Sequence, residues 1–142
     1  MRWIYLVAGL LLGFGAHANP GTPLLSVRCS FQDGQATEFS NTKPITKRSN
    51  DMGDLIFDQI DVRNQTARVI GSIGAETIIA LYGNNSIHLL ETTISGNLNI
   101  TTVYLSTKSL RDGIYPTVHS RHINLASGPY PSHYVGFCKK LY

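Results

Sequence analysis

Short apolar runs alternate with turn residues along most of the chain. Within the runs, β-branched and aromatic side chains are frequent. Turns rich in Gly, Asn, Asp and Pro recur about every 8–12 residues, a spacing typical of all-β sandwiches and barrels. No segment shows the 3.6-residue apolar period of an amphipathic helix. The pattern predicts strands at residues 25–31, 55–62, 66–73, 77–82, 87–94, 98–105, 114–124 and 133–138.

The alternation within the runs indicates strands with two unlike faces. In residues 98–104, the even positions carry Leu, Ile, Thr and Tyr, whereas Asn99 and Thr101 share the other face. Such alternation is typical of antiparallel sheets. Because several connections are short enough for hairpins, we expect an up-and-down antiparallel meander. About eight strands suit a small closed barrel, since closure removes the unpaired edges of the sheet.

One segment, residues 35–54, interrupts this rhythm. It is polar, has few large apolar residues, and contains Lys43, Lys47 and Arg48. We expect a long connection between the first and second strands. Loops longer than about 12–15 residues are often functional, but a solvated connection without function is the simpler alternative.

The first residues have the three parts of a secretory signal peptide. Arg2 gives a positive start, residues 4–14 form an apolar run, and Ala16-His17-Ala18 fits a cleavage site. A membrane anchor is the alternative, but the run is short for about 30 Å of hydrocarbon. We therefore expect a signal peptide at 1–18 and a single β-barrel domain at 19–142. The mature protein would then be periplasmic or secreted, with no membrane span.

If the protein is exported, its two cysteines, Cys29 and Cys138, are expected to form a disulfide. Outside the cytosol two lone cysteines tend to pair, and these lie in the first and last predicted strands. Those strands are neighbours if the barrel closes, so we expect a disulfide across the closing seam. For a loop of this length the chain-entropy model gives about 4.7 kcal/mol of stabilisation.

Composition and histidine spacing argue against a nucleic-acid partner and against a metal site. With a net charge of +3 and 15% charged residues, the chain is neither a disordered tail nor a basic nucleic-acid partner. His119 and His122 are three positions apart, so on a strand they point to opposite faces. His122 and His133 could approach each other across the connection at 127–131, but two histidines make an incomplete zinc site. Ordinary hydrogen-bonded histidines are the better interpretation, and we expect no metal and no cofactor.

Catalytic motifs are weak. A triad could be assembled from Ser120 or Ser132, a histidine and Asp112, but no nucleophile elbow surrounds either serine. The carboxylates of residues 51–61 have no acid–base partner at a suitable spacing. We therefore expect a protein that is not an enzyme. Three glycosylation sequons begin at Asn64, Asn84 and Asn99.

Several segments carry a resemblance. They are VRCSF at 27–31 with Gly34, NLNITT at 97–102, VHSRH at 118–122 and PSHYVGFC at 131–138. In these the chain resembles a group of small exported bacterial proteins of uncharacterised function. In outline the meander resembles lipocalin and fatty-acid-binding barrels, and in size and in Cys29 it is similar to periplasmic lysozyme inhibitors. The first likeness implies export but brings no activity with it.

These observations favour an exported, monomeric, non-catalytic binding barrel that holds a small apolar or amphipathic ligand inside or at its mouth. The alternative is a protein-interaction module, such as an inhibitor of an extracellular enzyme, that works through its loops. A hydrolase is a third and weaker hypothesis. The binding residues proposed from the sequence are Lys43, Lys47, Arg48 and Tyr130, cations with an aromatic neighbour that suit an acidic or amphipathic partner. A purely solubilising role is the alternative for them.

Overall fold

A computed structural model describes residues 26–41, 43–50 and 52–142, so the predicted signal peptide lies outside the described residues. The described chain is almost entirely β-structure, and each of the predicted strands is present. The first continues eight residues beyond its predicted end, whereas the ends of the other strands shift by three residues or fewer. The elements are β1 (Val27–Phe39), β2 (Pro44–Arg48), β3 (Leu55–Asp61), β4 (Thr66–Gly71), β5 (Gly74–Gly83), β6 (Ser86–Thr92), β7 (Leu98–Tyr104), α1 (Thr107–Asp112), β8 (Ile114–His122), β9 (Asn124–Leu125), β10 (Gly128–Pro129) and β11 (Ser132–Lys140).

Eight strands close into an antiparallel barrel in the order β1-β3-β4-β5-β6-β7-β8-β11, and β11 pairs with β1 at the seam. The predicted up-and-down barrel is therefore confirmed. β1 is long enough to pair with β3 through residues 27–29 and with β2 through residues 35–39. β2 therefore continues the sheet beyond the barrel, and β9 and β10 form a separate small pair. Among the described residues, no helix is long and apolar enough to cross a membrane.

The prediction of an irregular connection at residues 35–54 was wrong. Much of this segment forms the end of β1 and all of β2, which pair as a hairpin. The hairpin was missed because every residue of β2 is exposed, so no apolar alternation marks it. Lys47 and Arg48 therefore lie on a strand, and Lys43 lies in the turn that precedes it.

Side chains fill the barrel interior. Its core takes buried residues from every barrel strand, and the two largest, Tyr115 and Tyr134, are each 1% exposed. Small barrels of eight strands are often filled in this way. A ligand held in the apolar interior would compete with these side chains, so the outer surface and the mouth become the places to look for a site.

The disulfide predicted across the seam is confirmed. Cys29 on β1 lies directly opposite Cys138 on β11, and both side chains are fully buried. Two residues along β11, Gly136 lets the strands approach closely, because a Cβ there would lie 2.1 Å from the Ser30 backbone oxygen. A bulge between Phe31 and Asp33 then shifts the register of β1.

The interior is apolar at one end and polar at the other. On β7 the predicted grouping of faces is correct, but Thr101, on the polar face, is the buried member, whereas Leu98 and Tyr104 are exposed. Thr101 pairs with His119 of β8, which is also buried. The polar end of the barrel lies beside the β1–β2 hairpin, because Tyr134 of β11 pairs with both His119 and Gly34 of β1.

Candidate functional site

The β1–β2 hairpin is held by hydrogen bonds at its turn, its middle and its base. In the turn the Ser40 amide donates to the Lys43 carbonyl oxygen at 3.2 Å. Midway, the Thr37 and Thr46 hydroxyls are 2.9 Å apart. At the base, the Ser49 hydroxyl is 3.0 Å from the Tyr134 hydroxyl of β11. The hairpin is therefore fixed to the barrel at its base, and its cations have defined positions.

Two of the cations proposed from the sequence form exposed ion pairs. Lys47 Nζ lies 3.0 Å from the Glu38 carboxylate, and Arg48 Nε lies 3.1 Å from the Asp33 carboxylate. The four side chains are between 50% and 71% exposed. Pairs this exposed stabilise a fold by about 0–1 kcal/mol. An incoming anion can therefore contact Lys47 or Arg48 without breaking a strong internal interaction.

Arg48 lines a recess of about 400 Å³ on the outer surface of the barrel, over the β1–β11 seam. We call this recess the seam groove. Its wall on one side is β2, and its wall on the other is the outward face of β11. It is lined by Asp33, Gly34, Gln35, Thr46, Lys47, Arg48, His133 and Val135.

The seam groove adjoins a second recess of about 220 Å³, with which it shares Gln35 and His133. This second recess also contains Arg121 and His122 of β8. The Ser120 hydroxyl lies 3.1 Å from His133 Nδ1 and orients that ring. The two histidines of the predicted metal alternative therefore line one recess, as the connection at 127–131 suggested. Within the described residues, no group of three or more His, Cys, Asp or Glu side chains could hold a metal ion.

A buried polar network supports these recesses from inside the barrel. His119 Nδ1 lies 2.7 Å from the Thr101 hydroxyl, and the ring packs against Phe31 and Tyr134. Burial lowers the pKa of His119 from 6.5 to about 4, and the charges of Arg121 and His133 act in the same direction. His119 is therefore neutral at pH 7, and it points into the barrel, opposite to His122, as its spacing predicted.

Arg121 connects the network to the seam. Its guanidinium donates to the Ser132 hydroxyl at 2.8 Å and to the Tyr134 hydroxyl, and it also lies over the Tyr134 ring. The Tyr134 ring in turn fills the space above Gly34, where a Cβ would lie 2.2 Å from it. These contacts fix β1 and β11 relative to each other at the point where the seam groove crosses them.

An apolar recess of about 330 Å³ continues the seam groove along the outer surface, and the two share Asp33 and Val135. Tyr104 and Phe137, which stand on either side of Pro116, are each 45% exposed there. Phe137 points out while Tyr134 is buried, which confirms that these two residues face opposite sides of β11. A cationic region and an apolar region are thus adjacent on one outer face.

Tyr130 lies elsewhere. It lines a cleft of about 220 Å³ between the β1–β2 hairpin and the β9–β10 pair, together with Phe39, Ile45 and Pro129. We call this the hairpin cleft. Of the four binding residues proposed from the sequence, Lys47 and Arg48 line the seam groove and Tyr130 lines the hairpin cleft. Lys43 lies in the turn of the β1–β2 hairpin and lines neither recess. Sequence reasoning missed Gln35, Thr46 and Val135, whose positions depend on strand pairing.

The structure does not bring the possible triad together. Asp112 is ion-paired with Lys108 and Arg111 at the start of β8, whereas Ser120 lies near the other end of that strand. Their separation of six or more residues corresponds to about 20 Å along a strand. Asp58 is engaged with Arg68 across β3 and β4, and this ion pair lowers the pKa of the Asp58 carboxyl.

No family model matches this chain, and neither the curated proteins nor the solved structures contain a match to it. The structure supplies the closed barrel on which the outline resemblance to lipocalin and fatty-acid-binding barrels rests. The resemblance to small exported bacterial proteins stays an interpretation of the sequence.

Proposed function

We propose that this protein is an exported, monomeric, non-catalytic binding protein whose ligand lies on the outside of the barrel. The ligand is amphipathic and carries an anionic group. The observation that carries this proposal is the continuity of the seam groove with the apolar recess through Asp33 and Val135. A barrel fold is compatible with a binding role, and this outer face offers both kinds of contact that such a ligand needs.

The two ends of the ligand are assigned by charge and apolarity. Its anionic group lies near the exposed guanidinium of Arg48, beside His133. Its apolar part extends over Val135 and Phe137, toward Tyr104. From His133 to Phe137 the strand advances by about 13 Å, which sets the length of the contact. Each ligand methylene fully removed from water would contribute about 0.8 kcal/mol to the free energy of binding. Because the groove is open, each methylene would be only partly buried and would contribute less.

Export is supported by the disulfide, because disulfides persist in oxidising compartments. The non-catalytic assignment rests on the chemistry of the groove. Its polar side chains are two cations, one hydroxyl, one amide, the His133 imidazole, which is held by Ser120, and a carboxylate already paired with Arg48. That set binds and orients an anion.

The test is calorimetric titration of residues 19–142 with decanoate, using decyltrimethylammonium as a probe with the same chain and opposite charge. We expect decanoate to bind and the cationic probe to bind at least tenfold more weakly. A triple variant, Lys43→Gln, Lys47→Gln and Arg48→Gln, should weaken decanoate binding about tenfold.

The matched control removes the same charge at other sites through Lys108→Gln, Arg111→Gln and Lys140→Gln. It should bind decanoate like the unaltered protein. Equal weakening in both variants would show that only net charge matters and would overturn the seam groove as the site. No decanoate binding by the unaltered protein would overturn the ligand class.

A further inference from the structure

We propose that the natural occupant of this face is an extended acidic peptide that adds to the sheet as a strand along the free edge of β2. This inference rests on the proposed function, since it uses the same cations of β2, Lys47 and Arg48. It identifies the ligand as a peptide strand. It is carried by the hydrogen-bonding pattern of the β1–β2 hairpin, by two recesses on opposite faces of that edge, and by the charge beside it.

The pattern follows from three backbone hydrogen bonds. In the turn the Ser40 amide donates to Lys43, and at the base the Ser49 amide donates to Gly34. In an antiparallel ladder, hydrogen-bonded pairs alternate with pairs whose backbone groups point away. The amides of Ile45 and Lys47 therefore point toward β1, and those of Thr46 and Arg48 point to the free edge.

The Thr37 amide confirms this parity. Thr37 lies opposite Thr46, and its N–H donates away from β2, to the Pro131 carbonyl oxygen at 2.9 Å. β2 is the last strand in the sheet order. Along its outer edge, Thr46 and Arg48 thus present two N–H donors and two carbonyl acceptors. No described residue pairs with this edge.

Pro44 defines how much of the edge can be used. It also belongs to the outward-pointing set, so its missing N–H costs no bond to β1. Proline and cations on an edge strand discourage indiscriminate pairing with other strands. Here Pro44 ends the usable edge after two residues, and Lys47 and Arg48 select against basic segments. An acidic segment meets no such barrier.

An added strand needs space for alternate side chains on both faces of the sheet. Both are present. On the outer face, Thr46 and Arg48 border the seam groove. On the opposite face, Ile45 and its partner Glu38 border the hairpin cleft with Tyr130. Side chains directly opposite Thr46 and Arg48 share their face, so acidic residues there meet Arg48. The residues between them lie on the face of Ile45 and meet its side chain at the edge of the hairpin cleft. The geometry therefore selects alternating acidic and apolar residues.

The experiment uses two synthetic pentapeptides with blocked ends and identical composition, one alternating Glu and Leu and one with the Leu residues and Glu residues in separate blocks. Residues 19–142 should bind the alternating peptide at least tenfold more tightly. Thr46→Pro removes an edge donor but no bond to β1, and it should weaken binding at least tenfold. The control is Thr107→Pro at the first position of α1, where proline is tolerated, and it should bind normally.

Amide hydrogen exchange keeps the test decisive if Thr46→Pro disturbs the hairpin. In the unaltered protein the peptide should slow exchange at Thr46 and Arg48 at least tenfold and leave the protected amides of Ile45 and Lys47 almost unchanged. Unslowed exchange at Thr46 and Arg48, or equal binding of both peptides, would overturn strand addition. If decanoate still bound in those cases, the proposed function would stand and only the peptide assignment would fall.

Discussion

The buried histidine makes stability depend on pH in a defined window. His119 is 2% exposed, and burial holds its pKa at about 4, below its ordinary value of 6.5. In the unfolded chain the same ring takes up a proton near pH 6.5. Because the unfolded state binds more protons between these values, stability is complete above about pH 7 and falls as the pH drops toward 4.

The magnitude follows from the two pKa values. Between pH 7 and pH 5, the proton uptake of the unfolded state at His119 corresponds to a loss of about 2 kcal/mol. This window lies above the carboxyl range. The pKa values of the Asp58, Asp61 and Asp112 carboxyls are lowered by their hydrogen bonds and ion pairs. Those groups therefore contribute their losses below about pH 4, outside the measurement.

The assay is urea unfolding of residues 19–142 at pH 7 and at pH 5, compared through the free energy of unfolding. The comparison variant combines His119→Phe with Thr101→Val, which removes both partners of the buried hydrogen bond and leaves neither unsatisfied. We expect the unaltered protein to lose about 2 kcal/mol and the double variant to lose less than half as much. Equal losses in both proteins would refute the assignment to His119.

Two further predictions concern the seam. Loss of the disulfide through Cys29→Ala with Cys138→Ala should cost about 2–5 kcal/mol in urea unfolding. The intact mass of the unaltered protein should rise by two hydrogen atoms on reduction. A loss below 1 kcal/mol would contradict the structural role of this bond. Gly136→Ala should destabilise the fold by about 1–3 kcal/mol or more, because its Cβ would meet the Ser30 backbone. Gly53→Ala, with nothing within 4 Å of its Cβ, is the matched control, and equal effects of the two changes would argue against the close approach at the seam.

The barrel could be predicted from the sequence because its strands bury one face, and burial leaves a period of two in the chain. The same reasoning missed β2, since none of its residues is buried. It also missed α1, whose six residues are too few to show a helical period. The local signals of α1 are Ser106, which caps the first turn, and Gly113, which ends the helix with φ 67°.

Alternation alone does not show which face is inside. On β7 the apolar side chains Leu98 and Tyr104 are exposed, and Thr101 is buried on the other face with Val103. The buried His119 on β8 supplies the hydrogen-bond partner of Thr101. That pairing depends on register. The bulges near Gln32 and Gln59 also change which residues face the core, and no sequence signal here marks either of them.

Only part of the candidate site could be predicted from the sequence. Lys47 and Arg48 stand out as neighbouring cations in a polar segment, so composition alone suggested them. Their position beside His133 and Val135 results from the pairing of β1 with both β2 and β11. A pairing between residues so distant in the chain leaves no local pattern, and the groove it forms therefore appears only in the folded protein.

The central claim is that the ligand binds outside the barrel, over the seam. Its most direct test is a map of backbone amide shifts in isotopically labelled residues 19–142 during titration with decanoate. We expect the shifts to concentrate at Asp33, Arg48, His133 and Val135. Shifts that instead concentrate at the interior residues Ile87, Leu89 and Val103 would place the ligand inside the barrel and contradict binding over the seam.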